Sequence, residues 1–288
     1  MSRVRAVVRR AGQAPVGRVV VPRLRRLVRH SDPGAVPQFR YVFVVTYGRS
    51  GSTLVQGLLN TLPRTVVRGE NNFYVLPLFR SLALVRGFRR THLKHNPRAS
   101  HSAFYGLHEI EPRDFVLSTR RLMTGHMLGS ERAGSVDVLG FKEVLWHRVR
   151  PEETERFFGF LDQVFPGCQF VLNERNHEQV VGSGFWQGHD EDAVMSSIYR
   201  VEEIQEHLRS TRPDRVLDLR FELLTGDDQA VADAQLRSLA EFVTGSCDDA
   251  LLASLRETKR TGHGPFPFGK SRGRAQRPGA TDQPTRRS

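Results

Sequence analysis

Cysteine is nearly absent from this chain of 288 residues, which contains only Cys168 and Cys247. Two cysteines cannot build the multi-bridge framework that stabilises small secreted domains. A chain of this length can bury a core large enough for one α/β domain or two smaller ones, so it does not depend on such a framework. The scarcity of cysteine favours a reducing compartment, and we expect a cytoplasmic protein.

Long apolar runs are also missing. No stretch approaches the roughly 18–20 residues that a membrane-spanning helix needs. The N-terminus contains arginines but lacks an apolar region with a small-residue cleavage site, so we predict no secretory signal. Residues 17–29 alternate basic and apolar side chains, as segments on anionic membrane surfaces do, although Pro22 interrupts the pattern.

Acidic residues are scarce at both ends of the chain. Of the formal charge of +12, nine Arg and one Asp in residues 1–34 contribute +8, and six Lys/Arg and one Asp in residues 270–288 contribute +5. The part between them is close to neutral, so the basicity belongs to two arms. The N-terminal arm predicts contact with an anionic membrane surface rather than with nucleic acid. Solvated tails without a partner are the competing interpretation.

The middle of the chain alternates between strand and helix patterns. Runs of β-branched and aromatic residues predict strands at 41–46, 64–68, 136–142, 169–174 and 215–220. Helical patterns occur at 52–61, 73–86, 112–128, 151–164, 176–186, 190–210 and 228–244. This alternation predicts a three-layer α/β fold, in which a mostly parallel sheet has helices on both faces.

The same patterns divide the chain into parts. We expect a basic, largely flexible arm at 1–37, one domain at 38–268 and a basic, disordered tail at 269–288. Residues 87–111 are polar, rich in histidine and weakly periodic, so they predict an insertion or a lid.

Residues 41–59, YVFVVTYGRSGSTLVQGLL, are the most informative segment. An apolar, β-branched run ends in a Gly/Ser/Thr turn, and a helical segment follows at once. Backbone N–H groups in such a loop, together with the positive end of the helix, bind anions. The loop lacks the lysine of the GxxxxGK[ST] loops that bind nucleoside triphosphates. Ser52 occupies the lysine position, and the cation lies three residues earlier, at Arg49.

Residues 169–186, QFVLNERNHEQVVGSGFW, form a second informative segment. A predicted strand leads into Arg175, and Ser183 follows eight residues later. An arginine at the end of a strand can form a paired contact with a phosphate, and a serine two helical turns later can donate a hydroxyl to the same group. In the alternative interpretation, Arg175 forms a local salt bridge with Glu174 or Glu178.

Together these segments resemble the sulfotransferases that use 3′-phosphoadenosine 5′-phosphosulfate (PAPS). YGRSGST at 47–53 resembles the 5′-phosphosulfate loop of that family, and FVLNERNHEQVVGS at 170–183 resembles its 3′-phosphate segment. VLDLRFELL at 216–224 is similar to a later strand that ends in an aromatic-Glu-x-Leu pattern. The resemblance spans most of 41–272.

The resemblance implies a P-loop-NTPase-like sulfotransferase architecture, with PAPS as co-substrate and a small-molecule or carbohydrate acceptor. Sulfuryl would pass to a hydroxyl of a glycan, a glycolipid or a secondary metabolite. Arg49 would stabilise the bridging oxygen as it becomes anionic. Cationic side chains and a helix N-terminus would neutralise the charge without a metal. The residues implied to bind the nucleotide are Arg49, Ser50, Gly51, Ser52 and Thr53 at the 5′-phosphate, and Arg175 and Ser183 at the 3′-phosphate.

Glu70 is the first candidate for the general base, because it follows a predicted strand and would face the loop. Its position, 21 residues after Arg49, is similar to that of the catalytic glutamate in bacterial glycolipid-type sulfotransferases. An ion pair between Glu70 and Arg68 is the alternative interpretation.

A second set of candidates lies in GFKEVLWH at 140–147. Lys142 could contact the transferred sulfuryl group, and His147 or Glu143 could act as the base. For Lys142 and Glu143, a solvent-exposed strand end is the alternative interpretation.

Two further features narrow the prediction. Many cytosolic members of the family have a tryptophan after the loop threonine, where it stacks on adenine, whereas this chain has Leu54. This difference disfavours the small-phenol branch of the family. Arg49 in place of lysine and the Ser-Gly-Ser-Thr run at 50–53 favour the bacterial or carbohydrate branch. The spacing of His92, His95, His101 and His108 matches no standard zinc framework, so we expect no metal site.

Two other functions remain open at this stage. One is a kinase-like enzyme with an unusual P-loop, which would turn over magnesium ATP. The other is a non-catalytic module that binds a nucleotide or another anion and is tethered through its basic arms. The sequence indicates neither the acceptor nor the oligomeric state.

Overall fold

The computed structural model describes residues 39–182 and 190–261. All neighbouring strands of its sheet are parallel, and their spatial order is β2-β3-β1-β4-β5. The predicted parallel α/β architecture is therefore confirmed. The five strands are β1 (Arg40–Val45), β2 (Thr65–Arg68), β3 (Val138–Glu143), β4 (Gln169–Glu174) and β5 (Val216–Arg220).

Helices connect these strands and cover both faces of the sheet. None of the helices in the described ranges is both long and apolar enough to traverse a bilayer. The helices are α1 (Ser52–Thr61), α2 (Val75–His92), α3 (Pro112–Leu128), α4 (Thr154–Val164), α5 (His177–Val181), α6 (Glu191–Thr211), α7 (Phe221–Thr225), α8 (Gln229–Thr244) and α9 (Asp249–Thr261).

The two faces of the sheet are visible in the side-chain alternation of β1. Val42 and Val44 belong to a buried cluster with apolar residues of α1, α8 and α9. Tyr41, Phe43 and Val45 belong to a second cluster with residues of α2, α3, α4 and α6. Because both faces are covered, β1 is a continuous apolar run and does not alternate between apolar and polar residues.

Helix α9 was not among the predicted helices. Its signals are present in the sequence, because Leu252, Leu255 and Thr258 recur at helical spacing and are buried. The Asp248 side chain also accepts a hydrogen bond from the Leu251 N–H (2.7 Å), which stabilises the first turn.

Helix α2 continues six residues beyond its predicted end at 86. Arg89, Arg90 and His92 lie in its last turn, where basic side chains interact favourably with the helix dipole. The rest of the predicted insertion, 93–111, consists of turns and one short 3₁₀ helix, Leu107–Glu109. The Phe104 ring stacks on the His92 ring with a centroid distance of 4.4 Å, so this segment folds back onto the end of α2. Its role as a lid stays a prediction.

A buried carboxylate joins α2 to the start of α4. Glu153 is almost fully buried, and its Oε1 atom lies 2.5 Å from Arg80 Nη2 and accepts a hydrogen bond from the Arg150 N–H (3.1 Å). Burial alone would raise the pKa of Glu153, but the hydrogen bonds from Arg80 and Arg150 outweigh burial and lower that pKa to about 2.

The depressed pKa of Glu153 predicts a specific pH dependence of stability. A carboxylate with a lowered folded-state pKa contributes stability above its ordinary pKa, near 4.5, and loses that contribution as the pH falls toward 2. The variant Glu153→Gln should therefore be less stable than the wild type at pH 7, and the difference should narrow below about pH 4.5. Urea unfolding of both proteins between pH 3 and 7 measures this. A constant difference across that range would contradict the prediction.

Candidate functional site

The carboxyl ends of the five parallel strands meet at one edge of the sheet, where ligands bind in folds of this kind. The predicted site residues follow the strands in spatial order along this edge. Glu70 follows β2, Lys142 lies in β3, the loop 46–53 follows β1, Arg175 follows β4 and Phe221 follows β5. The strand order thus brings together residues that are far apart in the sequence.

The loop 46–53 turns sharply before α1. Arg49 and Gly51 both have left-handed backbone conformations, with φ values of 67° and 79°. A Cβ atom on Gly51 would lie 2.0 Å from the Phe221 ring, so only glycine fits there. Helix α1 then begins without a side-chain cap and without an acidic residue in its first turn. Its N-terminal N–H groups and positive dipole end therefore suit an anion.

Hydrogen bonds to the end of β4 hold this loop in place. The Thr46 hydroxyl donates to the Asn173 carbonyl (2.8 Å) and lies 2.6 Å from Ser50 Oγ. The Asn173 side chain donates in turn to the Ser50 carbonyl (2.9 Å). Ser50 is fully buried, so its hydroxyl serves the loop itself. Ser52 is also buried, whereas Thr53 is exposed at the start of α1.

A second attachment involves Tyr47. Its hydroxyl donates to the Arg175 carbonyl (2.8 Å) and accepts from the Arg175 N–H (2.9 Å). Burial raises the pKa of Tyr47 well above its ordinary value, so the phenol stays neutral and keeps both hydrogen bonds. The loop after β1 and the segment after β4 are thus one connected unit.

The Arg175 side chain lies against the loop. Its Nη1 atom donates to the Arg49 carbonyl (3.1 Å), and its guanidinium stacks on the Phe221 ring at 4.6 Å from the ring centre. Glu174, one of the two expected partners in the alternative interpretation, pairs with Arg209. The Nε and Nη2 atoms of Arg175 donate to Gln179 Oε1 (3.3 and 3.2 Å). The loop and the second segment, 126 residues apart in the sequence, therefore meet. Ser183 lies outside the described residues.

The third segment supports the other two. Phe221 fills the space beside Gly51 and underlies the Arg175 guanidinium. The Glu222 carboxylate accepts a hydrogen bond from the Asn176 N–H (2.8 Å). The aromatic-Glu pair therefore holds the segment after β4 against the loop, a role that the sequence pattern alone did not reveal.

Glu70 and Lys142 form an ion pair at the other end of the site. Lys142 Nζ lies 2.5 Å from Glu70 Oε1; the lysine side chain is only 7% exposed, whereas that of Glu70 is 49% exposed. The alternative interpretation of Lys142 as a solvent-exposed strand end is wrong. Arg68 does not pair with Glu70, because its guanidinium donates to the Met127 and Leu128 carbonyls (2.7 and 2.8 Å) at the end of α3.

Glu143 is fully buried, so a solvent-exposed position is wrong for this residue as well. Both carboxylate oxygens accept hydrogen bonds from backbone N–H groups. The donors are Asn71 (3.2 Å) and Phe73 (2.8 Å) to Oε2, and Val144 (2.8 Å) and Leu145 (3.2 Å) to Oε1. A carboxylate engaged in this way has no open face for an acceptor hydroxyl, which removes Glu143 from the candidate bases.

His147 lies in the short 3₁₀ turn Trp146–Arg148 after β3. Burial and the neighbouring Arg148 lower the pKa of His147 below its ordinary value, so the imidazole is neutral at pH 7. In the described part of the chain, no hydrogen bond or ion pair joins His147 to Glu70 or Lys142.

The fold and the loop place the chain in a broad class: parallel α/β proteins with a tight Gly/Ser/Thr loop between the first strand and the first helix. A sequence model of the sulfotransferase family matches residues 41–243, more than half of the chain. The chain therefore belongs to the sulfotransferase family, as its motifs predicted.

A solved structure is also similar to this chain. The sulfotransferase domain from the Synechococcus PCC 7002 olefin synthase is 17% identical, with a TM-score of 0.48, over 78% of this chain and 80% of that one. No curated protein matches the chain.

Proposed function

We propose that this protein transfers a sulfuryl group from PAPS to a hydroxyl of a glycan, a glycolipid or a secondary metabolite. One structural observation supports PAPS as the donor, in addition to membership of the family. Arg175 Nη1 lies 3.1 Å from the Arg49 carbonyl, so a guanidinium stands beside an anion loop that lacks the lysine of triphosphate-binding loops. A second cation in this position suits a nucleotide with two separate phosphate groups.

The residues present fit such a nucleotide. Gly51 adopts the left-handed conformation that the loop requires, and the uncapped start of α1 offers N–H groups to a 5′-phosphate. Arg175, with Ser183, would hold the 3′-phosphate, and Arg49 would lie near the 5′-phosphosulfate. When bound, PAPS supplies an activated sulfuryl group.

The Glu70–Lys142 pair can perform the proton transfer that the reaction requires. The acceptor oxygen forms a bond to sulfur, the bond between sulfur and the 5′-phosphate oxygen breaks, and the hydroxyl proton passes to Glu70. Protonation neutralises the carboxylate, which frees the buried ammonium of Lys142 to interact with the negative charge that develops on the leaving oxygen. Glu70 is the more exposed partner, which suits contact with an acceptor. His147 remains the second candidate for the base.

The cellular location of the reaction is also part of the proposal. Few cysteines and the absence of a membrane-spanning helix from the described residues fit a cytoplasmic enzyme. The nine arginines of residues 1–34 suit contact with an anionic membrane, where a glycolipid acceptor would be found.

Two measurements test the proposal. Isothermal titration should show that adenosine 3′,5′-bisphosphate binds at least about tenfold more tightly than AMP, because a charge-assisted contact to the 3′-phosphate is worth about 1.5–3 kcal/mol. Radiolabelled PAPS should lose its sulfuryl group to water, or to an acceptor such as an alkyl glucoside or a phenol. Equal affinity for the two nucleotides would contradict the proposal.

The rival functions give different results in the same assays. A kinase-like enzyme would turn over magnesium ATP and leave PAPS intact. A non-catalytic module would bind the bisphosphate but never consume the donor with any acceptor.

A further inference from the structure

The turn that follows Glu70 has an unusual backbone. Asn72 and Phe73 are consecutive residues with positive φ values of 59° and 53°. Asparagine tolerates this conformation, but for a bulky residue such as phenylalanine it is uncommon and strained. The Phe73 side chain is nearly fully buried and packs against Trp146 and Phe157, with ring centroids 4.7 and 5.6 Å away. Such a turn persists only where its surroundings hold it.

Glu143 is the group that holds this turn. Its Oε2 atom accepts from the N–H groups of Asn71 (3.2 Å) and Phe73 (2.8 Å), on both sides of Asn72. Its Oε1 atom is fixed in turn by the N–H groups of Val144 and Leu145. Hydrogen bonds to an ionised acceptor are the stronger ones, and here they join the end of β2 to the end of β3.

The hydrogen bonds to Glu143 also constrain the position of Glu70. The N–H of Asn71 belongs to the peptide group that follows Glu70, so Glu143 fixes the backbone on which Glu70 stands. The neighbouring Lys142 binds the Glu70 carboxylate at 2.5 Å. Two consecutive residues of β3 therefore hold Glu70, one through its side chain and the other through its backbone.

We propose that Glu143 is a positioning residue, whose buried carboxylate holds the left-handed turn at 72–73 and thereby fixes the proton-accepting position of Glu70. The inference rests on the proposed function, since it assigns Glu143 a part in the same transfer. Glutamine at position 143 would turn an NH₂ group toward N–H donors and would remove the charge, so the turn would lose its anchor.

The first test is a double-mutant cycle with PAPS and water as the acceptor. Glu143→Gln should slow transfer by roughly 10²-fold, because small misplacements of a reacting group have effects of that order. Its affinity for adenosine 3′,5′-bisphosphate should stay within threefold of wild type. Adding Glu143→Gln to Glu70→Gln should cause no further loss, because both changes act on one group. The inference would be overturned if the rate effects of the two single variants multiplied in the double variant. A loss of nucleotide affinity as large as the loss of rate would also overturn it.

A second variant covers the case in which Glu143→Gln does not fold. Asn72→Ala leaves Glu143 untouched but disfavours the positive φ of residue 72, and it should slow transfer about two- to fivefold. Asn96→Ala is the matched control, since Asn96 also has a positive φ (49°) but lies in the turn after α2. Equal rates for the two variants would count against the inference.

Amide hydrogen exchange tests the anchor without any need for activity. The Asn71 and Phe73 amides should exchange faster in Glu143→Gln, or in Asn72→Ala if the first variant does not fold, while amides of α8 stay unchanged. Unchanged exchange at these two amides would overturn the anchoring. If the wild type never consumes PAPS, the proposed function fails, and the inference about positioning fails with it; accelerated exchange then establishes the anchor alone.

Discussion

Replacing Glu70 by glutamine should lower the rate of sulfuryl transfer by roughly 10²–10⁴-fold, the usual contribution of a general base. Glutamine keeps an oxygen that can accept a hydrogen bond from Lys142, although the negative charge of the ion pair is removed. It cannot take the acceptor proton, so proton transfer is lost. Turnover of labelled PAPS under saturating conditions measures the effect.

The controls separate proton transfer from other effects. Glu70→Gln should bind adenosine 3′,5′-bisphosphate as wild type does, because Glu70 lies at β2, apart from Arg175 at β4. Glu109→Gln is a matched control, since its carboxylate is 75% exposed outside the site. A Glu70→Gln variant with wild-type turnover would exclude Glu70 as the base.

His147→Gln completes the comparison. If His147 were the base, this variant and not Glu70→Gln would lose turnover. Because burial lowers the pKa of His147, wild-type turnover would then rise with pH through a pKa below 6.5. The absence of such a step, together with an active His147→Gln, would leave Glu70 as the base.

Replacing Arg175 by alanine should weaken the binding of adenosine 3′,5′-bisphosphate by about 1.5–3 kcal/mol, the range for hydrogen bonds to charged groups. Affinity for AMP should change much less, so the discrimination between the two nucleotides should largely disappear. The guanidinium is only partly buried. Its contacts with the Arg49 carbonyl and the exposed Gln179 side chain engage three of its five N–H groups, and a phosphate could replace the Gln179 oxygen.

Because Arg175 also supports the loop, AMP binding serves as the internal control. Equal losses for both nucleotides would mean that the loop had changed shape, and would contradict a specific 3′-phosphate contact. Arg175→Lys keeps the charge but loses the planar fork, so its affinity should be intermediate. Arg121→Ala removes an exposed arginine from α3 and should leave both affinities unchanged.

The parts of the fold that depend on local patterns were predictable. The β1 run, the Gly/Ser/Thr turn and the start of α1 are adjacent in sequence, and their residue types define the anion loop without tertiary information. Helix α9 was predictable in the same way but was not predicted. Its buried residues recur at helical spacing, although the segment contains no functional motif. The loop at 47–53 and the segment at 170–183 could be paired only through their resemblance to a family.

The polar site residues that the sequence did not reveal were missed for one physical reason. Thr46, Tyr47 and Asn173 are polar residues next to apolar runs. A sequence gives no sign that Thr46 bonds to Asn173, or Tyr47 to Arg175, between the ends of two strands. A polar residue that is buried and satisfied resembles an exposed one until its partner is known.

Residue types and their spacing were sufficient to predict the parallel α/β class, the Gly/Ser/Thr loop with a cation at Arg49 instead of a lysine at position 52, and membership of the sulfotransferase family. The different environments of the acidic residues could not be predicted, because they depend on the tertiary structure. Glu70 and Glu143 were both candidate bases, and they lie beside the same turn only because β2 and β3 are neighbours in the sheet. Lys142 and its partner Glu70 are 72 positions apart in the sequence. Because of the strand order, Glu70 pairs with a buried lysine and keeps one face exposed to solvent. Glu143 accepts hydrogen bonds from four backbone N–H groups and is buried. Burial and hydrogen-bond partners fix the chemistry of a carboxylate, and neither is encoded within a few residues of it.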